Sequence, residues 1–213
     1  LVGVQEPERA ASTVRNNPIR RENLRRLGGA YWWVVALGAV FTLARFSEAF
    51  LVLRVQQGGL PLAWTPLVLV LMNVVFALGA YPLGKLADST RHTTLLAWGL
   101  VVLIAADALL AFSDRGAPAW LGIALWGLHM AMTQGLLATM VADTAPADLR
   151  GTAFGMFNLV SGVALLVASG LAGLLWDRLG ASATFGAGIL FATLALAGVL
   201  VQSARHGRAP KPP

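Results

Sequence analysis

The sequence contains no cysteine. That excludes a disulfide framework and any thiolate metal site. Charge is scarce too: only 12% of the 213 residues are Asp, Glu, Lys or Arg, against about 25% in soluble domains. The scarcity is concentrated. Residues 116–142, 151–176 and 179–204 carry none of the four, which leaves uncharged runs of 27, 26 and 26 residues. A charge at bilayer depth costs about 2.5–3.5 kcal/mol on insertion scales. About 20 apolar residues cross the hydrocarbon, so each run is long enough. A cleavable signal peptide, an ATP-binding loop, a metal cluster and a nucleophile constellation are all missing from the pattern. The sequence therefore reads as neither an enzyme nor a cofactor protein, and any transport it supports is secondary.

What is present is apolar surface: 57% hydrophobic residues and a mean hydropathy of +0.69. Six spans are expected at about 31–54, 64–83, 94–112, 118–141, 152–176 and 182–203. They must be helices, because open strands leave backbone groups unsatisfied in lipid. The fold class is all-α, a polytopic membrane protein of six transmembrane helices. Residues 1–30 read as a basic linker, 31–203 as the transmembrane domain and 204–213 as a tail. Within the linker, Asn17-Pro18 reads as a helix start, and Ile19, Leu24 and Leu27 could share the apolar strip of a short interfacial helix. A disordered basic connector is the other reading.

Lys and Arg set the orientation. With residues 1–30 inside, the inner segments hold 12 of them and the outer ends 3, namely Arg54, Arg115 and Arg178. The bias puts both ends in the cytoplasm, in an inner (cell) membrane protein. It also accounts for the pI near 11, and argues against nucleic acid as a partner. Gly84, Leu86 and Asp88 recur as Gly173, Leu175 and Asp177, each 89 residues on and three spans away. An inverted 3+3 repeat would leave that trace.

The hydrophilic stretch at 84–92, GKLADSTRH, carries a resemblance to a known family. Its Gly84-x-Leu86-Ala87-Asp88 is similar to the inner-loop signature of major facilitator superfamily transporters, although Ser89, Arg91, His92 and Thr93 depart from it. Residues 143–158, DTAPADLRGTAFGMFN, resemble the loop entering that family's eleventh helix, and GLLWDRLG at 173–180 the far end of that helix. The resemblance implies that the six spans are helices seven to twelve, the C-terminal half of such a transporter. The chain starts at Leu1 rather than Met, and the apolar residues 1–4 then read as the end of a preceding helix. A missing N-terminal six-helix half would be the main partner, beside the lipid bilayer, an unknown small-molecule substrate and, in a proton-coupled carrier, protons.

Candidate residues follow. Arg45 and Glu48 stand three apart in the first span, hence on one helix face, as an ion pair that holds packing or as a substrate or proton site. Glu48 could titrate near neutrality if desolvated, with Arg45 opposing. His129, Thr133 and Gln134 lie mid-span in the fourth segment, with His129 and Thr133 on one face, for packing or for the cavity. Asn73 and Asn158 are polar contacts in the second and fifth spans. Gly84, Asp88, Arg91 and Arg150 form the expected gating loop. There Gly84 would allow a close approach or a sharp turn, and Asp88 could sit at a helix N-terminus. Gly151 with Gly155, Ser161 with Gly162 and Ser169 with Gly170 give the fifth span a small-residue face. Asp107 is read as reaching the outer interface. The reading from another class is a six-span scaffold or intramembrane enzyme with Asp107 and His129 as its polar pair, which requires that the two meet.

Overall fold

The computed structural model describes residues 21–206, and within them every regular element is helical. The linker up to residue 20, including the Asn17-Pro18 start, and the tail from 207 lie outside the described residues. The helices are α1 (Arg21–Arg26), α2 (Gly29–Ala44), α3 (Ala49–Gln57), α4 (Pro66–Ser89), α5 (His92–Phe112), α6 (Gly116–Thr133), α7 (Leu136–Thr144), α8 (Arg150–Leu179) and α9 (Ala181–His206). Short 3-10 turns at Leu62–Trp64 and Ala147–Leu149 lead into α4 and α8. Six stretches are long and apolar enough to cross a membrane, and they coincide with the six expected spans. The first and fourth spans are each made of two helices, α2 with α3 and α6 with α7.

The second span runs further than expected. Residues 84–89 are not a turn but the last turns of α4, and Asp88 is an exposed residue at that helix's C-terminal end rather than at an N-terminus. A single glycine costs a helix only about 1 kcal/mol, so Gly84 does not stop it. Extended Thr90 does. Gly84 itself has no neighbour within 4 Å where a side chain would point, so no helix of this chain approaches it closely.

α5 lies at the centre, packed on α6 along one side and on α9 along the other. The remaining contacts pair up: α4 packs on α6 as α8 packs on α2, and α6 packs on α5 as α2 packs on α9. That pairing is what an inverted 3+3 repeat produces when α2–α5 correspond to α6–α9. The core follows from it. Phe46 meets Phe50, Trp126 and Phe185 at 5.5–5.6 Å between ring centroids, and Trp176 closes the cluster against Phe50.

Cross-links set the levels at the two ends. At one end Arg26 pairs with Asp148 (2.7 Å), the Tyr31 hydroxyl donates to the Ala153 carbonyl (2.9 Å) and His92 approaches Asp143 (3.8 Å). These are the segments that the charge count puts together. Leu24 and buried Leu27 carry the end of α1 onto the core. At the opposite end the Arg54 guanidinium donates to the carbonyls of Leu110 (2.6 Å) and Ala111 (3.0 Å), and Ser182 donates to Ala111 as well (2.6 Å).

Tight helix contact depends on the absence of a side chain at Gly127, where a Cβ would run into the Met72 carbonyl of α4. A backbone atom cannot swing aside, so Gly127→Ala must separate α4 from α6. We expect it to lower unfolding stability in detergent by about 1–3 kcal/mol. Gly186→Ala, at a position with nothing within 4 Å, should leave the unfolding midpoint unchanged or raise it.

Candidate functional site

Two helix breaks organise the interior. In the first span the Thr42 hydroxyl turns back onto the Gly38 carbonyl (2.7 Å), a bond that bends helices. The Arg45 amide then closes on Thr42 (3.0 Å) and α2 ends at Ala44. In the fourth span α6 ends at Thr133, Gln134 is extended (φ −66°, ψ 121°), and Gly135 takes φ +96°, a left-handed conformation that favours glycine. Ala44 and Thr133 are 89 residues apart, and so are the starts of α5 and α9 at His92 and Ala181. This is the spacing of the sequence repeat, so the breaks fall at equivalent positions in the two three-span units.

Non-helical backbone at membrane depth is tolerated only where protein buries it or where it lines a cavity. The first break lines one. Thr42, Arg45, Phe46, Ser47, Glu48, Trp126, Leu165 and Ser169 surround a cavity of about 490 Å³. Arg45 and Glu48 both reach it, but not from one face of a continuous helix as their spacing predicts. The helix is interrupted between them, and no direct ion pair joins them. Instead the Arg45 guanidinium lies 5.7 Å over the Phe41 ring, which leaves polar capacity on both residues for something in the cavity.

The other candidates lie elsewhere. His129 is fully buried, with Nδ1 2.8 Å from the Gly99 carbonyl of α5 and its ring 5.5 Å from that of Phe41. Thr133 is buried beside it and donates to the His129 carbonyl (2.8 Å), while its methyl group fills the space above Gly99. The two share a face, as expected, but that face forms the α5–α6 seam. Neither lines the Arg45 cavity. Gln134 is exposed at the second break. Asn73 and Asn158 are exposed on α4 and α8, and Asn73 donates to Leu69 of its own helix (2.8 Å). Of the gating residues, Arg91 is the N-cap of α5 and lines a second cavity of about 330 Å³ together with His92 and Asp143. Arg150 is exposed at the start of α8, two residues from the Arg26–Asp148 pair.

Asp107 overturns its sequence reading. It does not reach the interface: it is fully buried between α5 and α9, and neither carboxyl oxygen has a hydrogen-bond partner among the described residues. Its side chain is too short to leave the seam. It does not meet His129 either. His129 is held at Gly99, two turns of α5 from Asp107, or roughly 12 Å along the helix axis, so the two do not form the polar pair that the alternative reading requires. Sequence reasoning gave no role to Trp126 or Leu165 of the cavity, although Trp126 stands out as a tryptophan well inside a span, and it placed Ser169 on a packing face, whereas Ser169 lines the cavity.

Residues 3–169 match the family model of the Major Facilitator Superfamily. Among curated proteins, the chain is 31% identical over 148 residues to an uncharacterized MFS-type transporter of Methanocaldococcus jannaschii, an alignment that covers 67% of this chain and 37% of the relative. The chain thus spans little more than a third of that relative's length. No solved structure matches.

The lack of native cysteine allows a direct check of the cavity. Ser47→Cys and Ser169→Cys should react with a water-soluble maleimide in the folded protein. Thr133→Cys, at the α5–α6 seam, should stay unlabelled until the protein is denatured. Equal labelling of all three would contradict this arrangement.

Proposed function

The chain belongs to the Major Facilitator Superfamily, and on that premise we propose that it forms the C-terminal six-helix half of a secondary transporter moving a small solute by alternating access. One observation carries the reading: two helix breaks at equivalent positions of an inverted repeat, one of them opening Arg45 and Glu48 into a cavity. Broken helices at matching positions are where transporters of this design hold solutes and coupling ions. Arg45 and Glu48 contact the solute or the proton, and Gln134 presents the second break to it. His129 and Thr133 hold the α5–α6 seam against which the breaks work. Asn73 and Asn158 face outward, toward the other half.

The other six-helix half covers α4 and α8. These spans are only 11% and 17% buried in their most apolar windows, against 50% for α5. Gly155, Gly162 and Gly170 of α8 have no neighbour within 4 Å where a side chain would point. Small residues left open on a spanning helix allow close approach of another helix. Gly84, Asp88, Arg91 and Arg150 then act as a latch against that half, on the cytoplasmic side of the cell membrane given by the Lys and Arg bias. Residues 1–30 link the halves and residues 204–213 form a cytoplasmic tail.

Two measurements on the full-length protein test the reading. In proteoliposomes with an entrapped pH dye, challenged with a panel of small organic solutes, Glu48→Gln should abolish solute-dependent proton movement. Unchanged movement would remove Glu48 from coupling. Ser169→Cys should be labelled by an impermeant thiol reagent from either side of the membrane, with one side protected when the other is locked open. Access from one side only, under all conditions, would rule out alternating access through this cavity.

A further inference from the structure

Asp107 is the one aspartate among the described residues that is buried, at 0% exposure, and both its oxygens lack partners. Its carboxyl lies in a slot made by two neighbours. At Gly188 of α9 a Cβ would collide with Oδ2, and the same point lies 3.1 Å from Cε1 of Phe46. One point at Gly188 thus lies against both the carboxyl and the edge of the Phe46 ring, and Phe46 also lines the Arg45–Glu48 cavity.

Among the described residues no charge pairs with it. From Ala181 to Ala204, α9 carries no charged side chain, and α6 carries only His129, which is held two turns away at Gly99. On α7 the one acid is Asp143, at the far end near His92. The guanidinium of Arg54 is spent on the carbonyls of Leu110 and Ala111, and Arg45 lies over Phe41, across the cavity wall. An ionised carboxylate without a partner or water is among the costliest groups to bury. A protonated one is neutral and carries an O–H that can donate.

We propose that Asp107 is a proton-binding site sealed between α5, α9 and Phe46, and that it exchanges its proton with the Arg45–Glu48 cavity when Phe46 moves. Phe46 belongs to the non-helical residues of the first break, the part of the wall that can rotate without unwinding a helix. With the ring in place the site holds its proton. With the ring displaced, water reaches the carboxyl and the proton leaves as hydronium. The chemistry is a single proton transfer, in which the O–H bond of the acid breaks and one to water forms.

The inference goes beyond the transport reading, and its test needs no solute. The full-length protein in lipid nanodiscs is followed by infrared spectroscopy of the carboxylic-acid C=O stretch. At neutral pH we expect a band that shifts on labelling with ¹³C-aspartate, persists in Glu48→Gln and disappears in Asp107→Asn. Asp107→Ser, which is smaller than the slot, gives the same readout if the asparagine variant does not fold. Raising the pH should remove the band, and Phe46→Ala should lower the pH at which it goes by about one unit or more, a tenfold change in proton affinity. No band attributable to Asp107 at neutral pH would overturn the proposal. So would a band that persists above about pH 10 in both wild type and Phe46→Ala, since the proton would then be locked in place. Loss of the band at the same pH with and without the Phe46 ring would overturn the route.

Discussion

In a bilayer core every backbone N–H and C=O must find its partner within the protein, and the rest of this structure depends on that constraint. A span can stop being helical only where other helices wall it off. Here α2 stops at Ala44 and α6 at Thr133, each where its neighbours take over. α2 packs on α8 and α9, and α6 on α4 and α5. The aromatic cluster around Phe46 fills the space beside the first break. The polar residues released by that break, Arg45 and Glu48, open into a cavity and not into lipid. The charged site and the packing that makes it tolerable thus have the same origin.

The same constraint explains which features could be read from the sequence. Six spans were legible because lipid makes charge scarce over stretches of about 20 residues, and that pattern needs no tertiary information. The repeat was legible in three matching residues, and its 89-residue offset carries Arg45 onto Gln134, the two residues at which the helices stop. The breaks themselves were not legible. Nothing between Thr42 and Glu48 resembles a helix terminator, and helical spacing therefore put Arg45 and Glu48 on a common face. At the interruption Thr42 bonds back to Gly38 and Phe46 turns into the aromatic cluster; Thr193 makes the same bond within unbroken α9, so the tertiary contact of Phe46 is what distinguishes the break. The stretch at 84–92 misled in the opposite sense. Polar composition suggested a turn, yet α4 continues to Ser89 because no residue before Thr90 leaves the helical region.

Burial is unevenly distributed, and the distribution follows the repeat. α5 is packed on both sides, whereas α4 and α8, equivalent under the repeat, each bury little within the chain. Exposed apolar surface on a spanning helix is ordinary where it faces lipid. The open glycines at 155, 162 and 170 are different, because lipid chains gain nothing from a missing side chain, whereas a neighbouring helix gains close approach. On α8, one of the two least buried spans, the open glycines thus leave room for a close approach.

Arg54 and Asp107 show how the length of a side chain decides the fate of a charge on one seam. Both are buried and both touch α5 or belong to it. Arg54 extends its stem along α3 and places its guanidinium on the carbonyls of Leu110 and Ala111, which have no amide ahead of them at the end of a helix. The negative end of the helix dipole adds to that attraction. Asp107, one turn earlier, has a single methylene and cannot reach the helix end. It faces Gly188 and the Phe46 ring, neither of which offers a side-chain hydrogen-bond partner. The cation is solvated by backbone carbonyls that it can reach. Among the described residues no group donates to the acid, and beside it stands Phe46, the aromatic residue at the helix break.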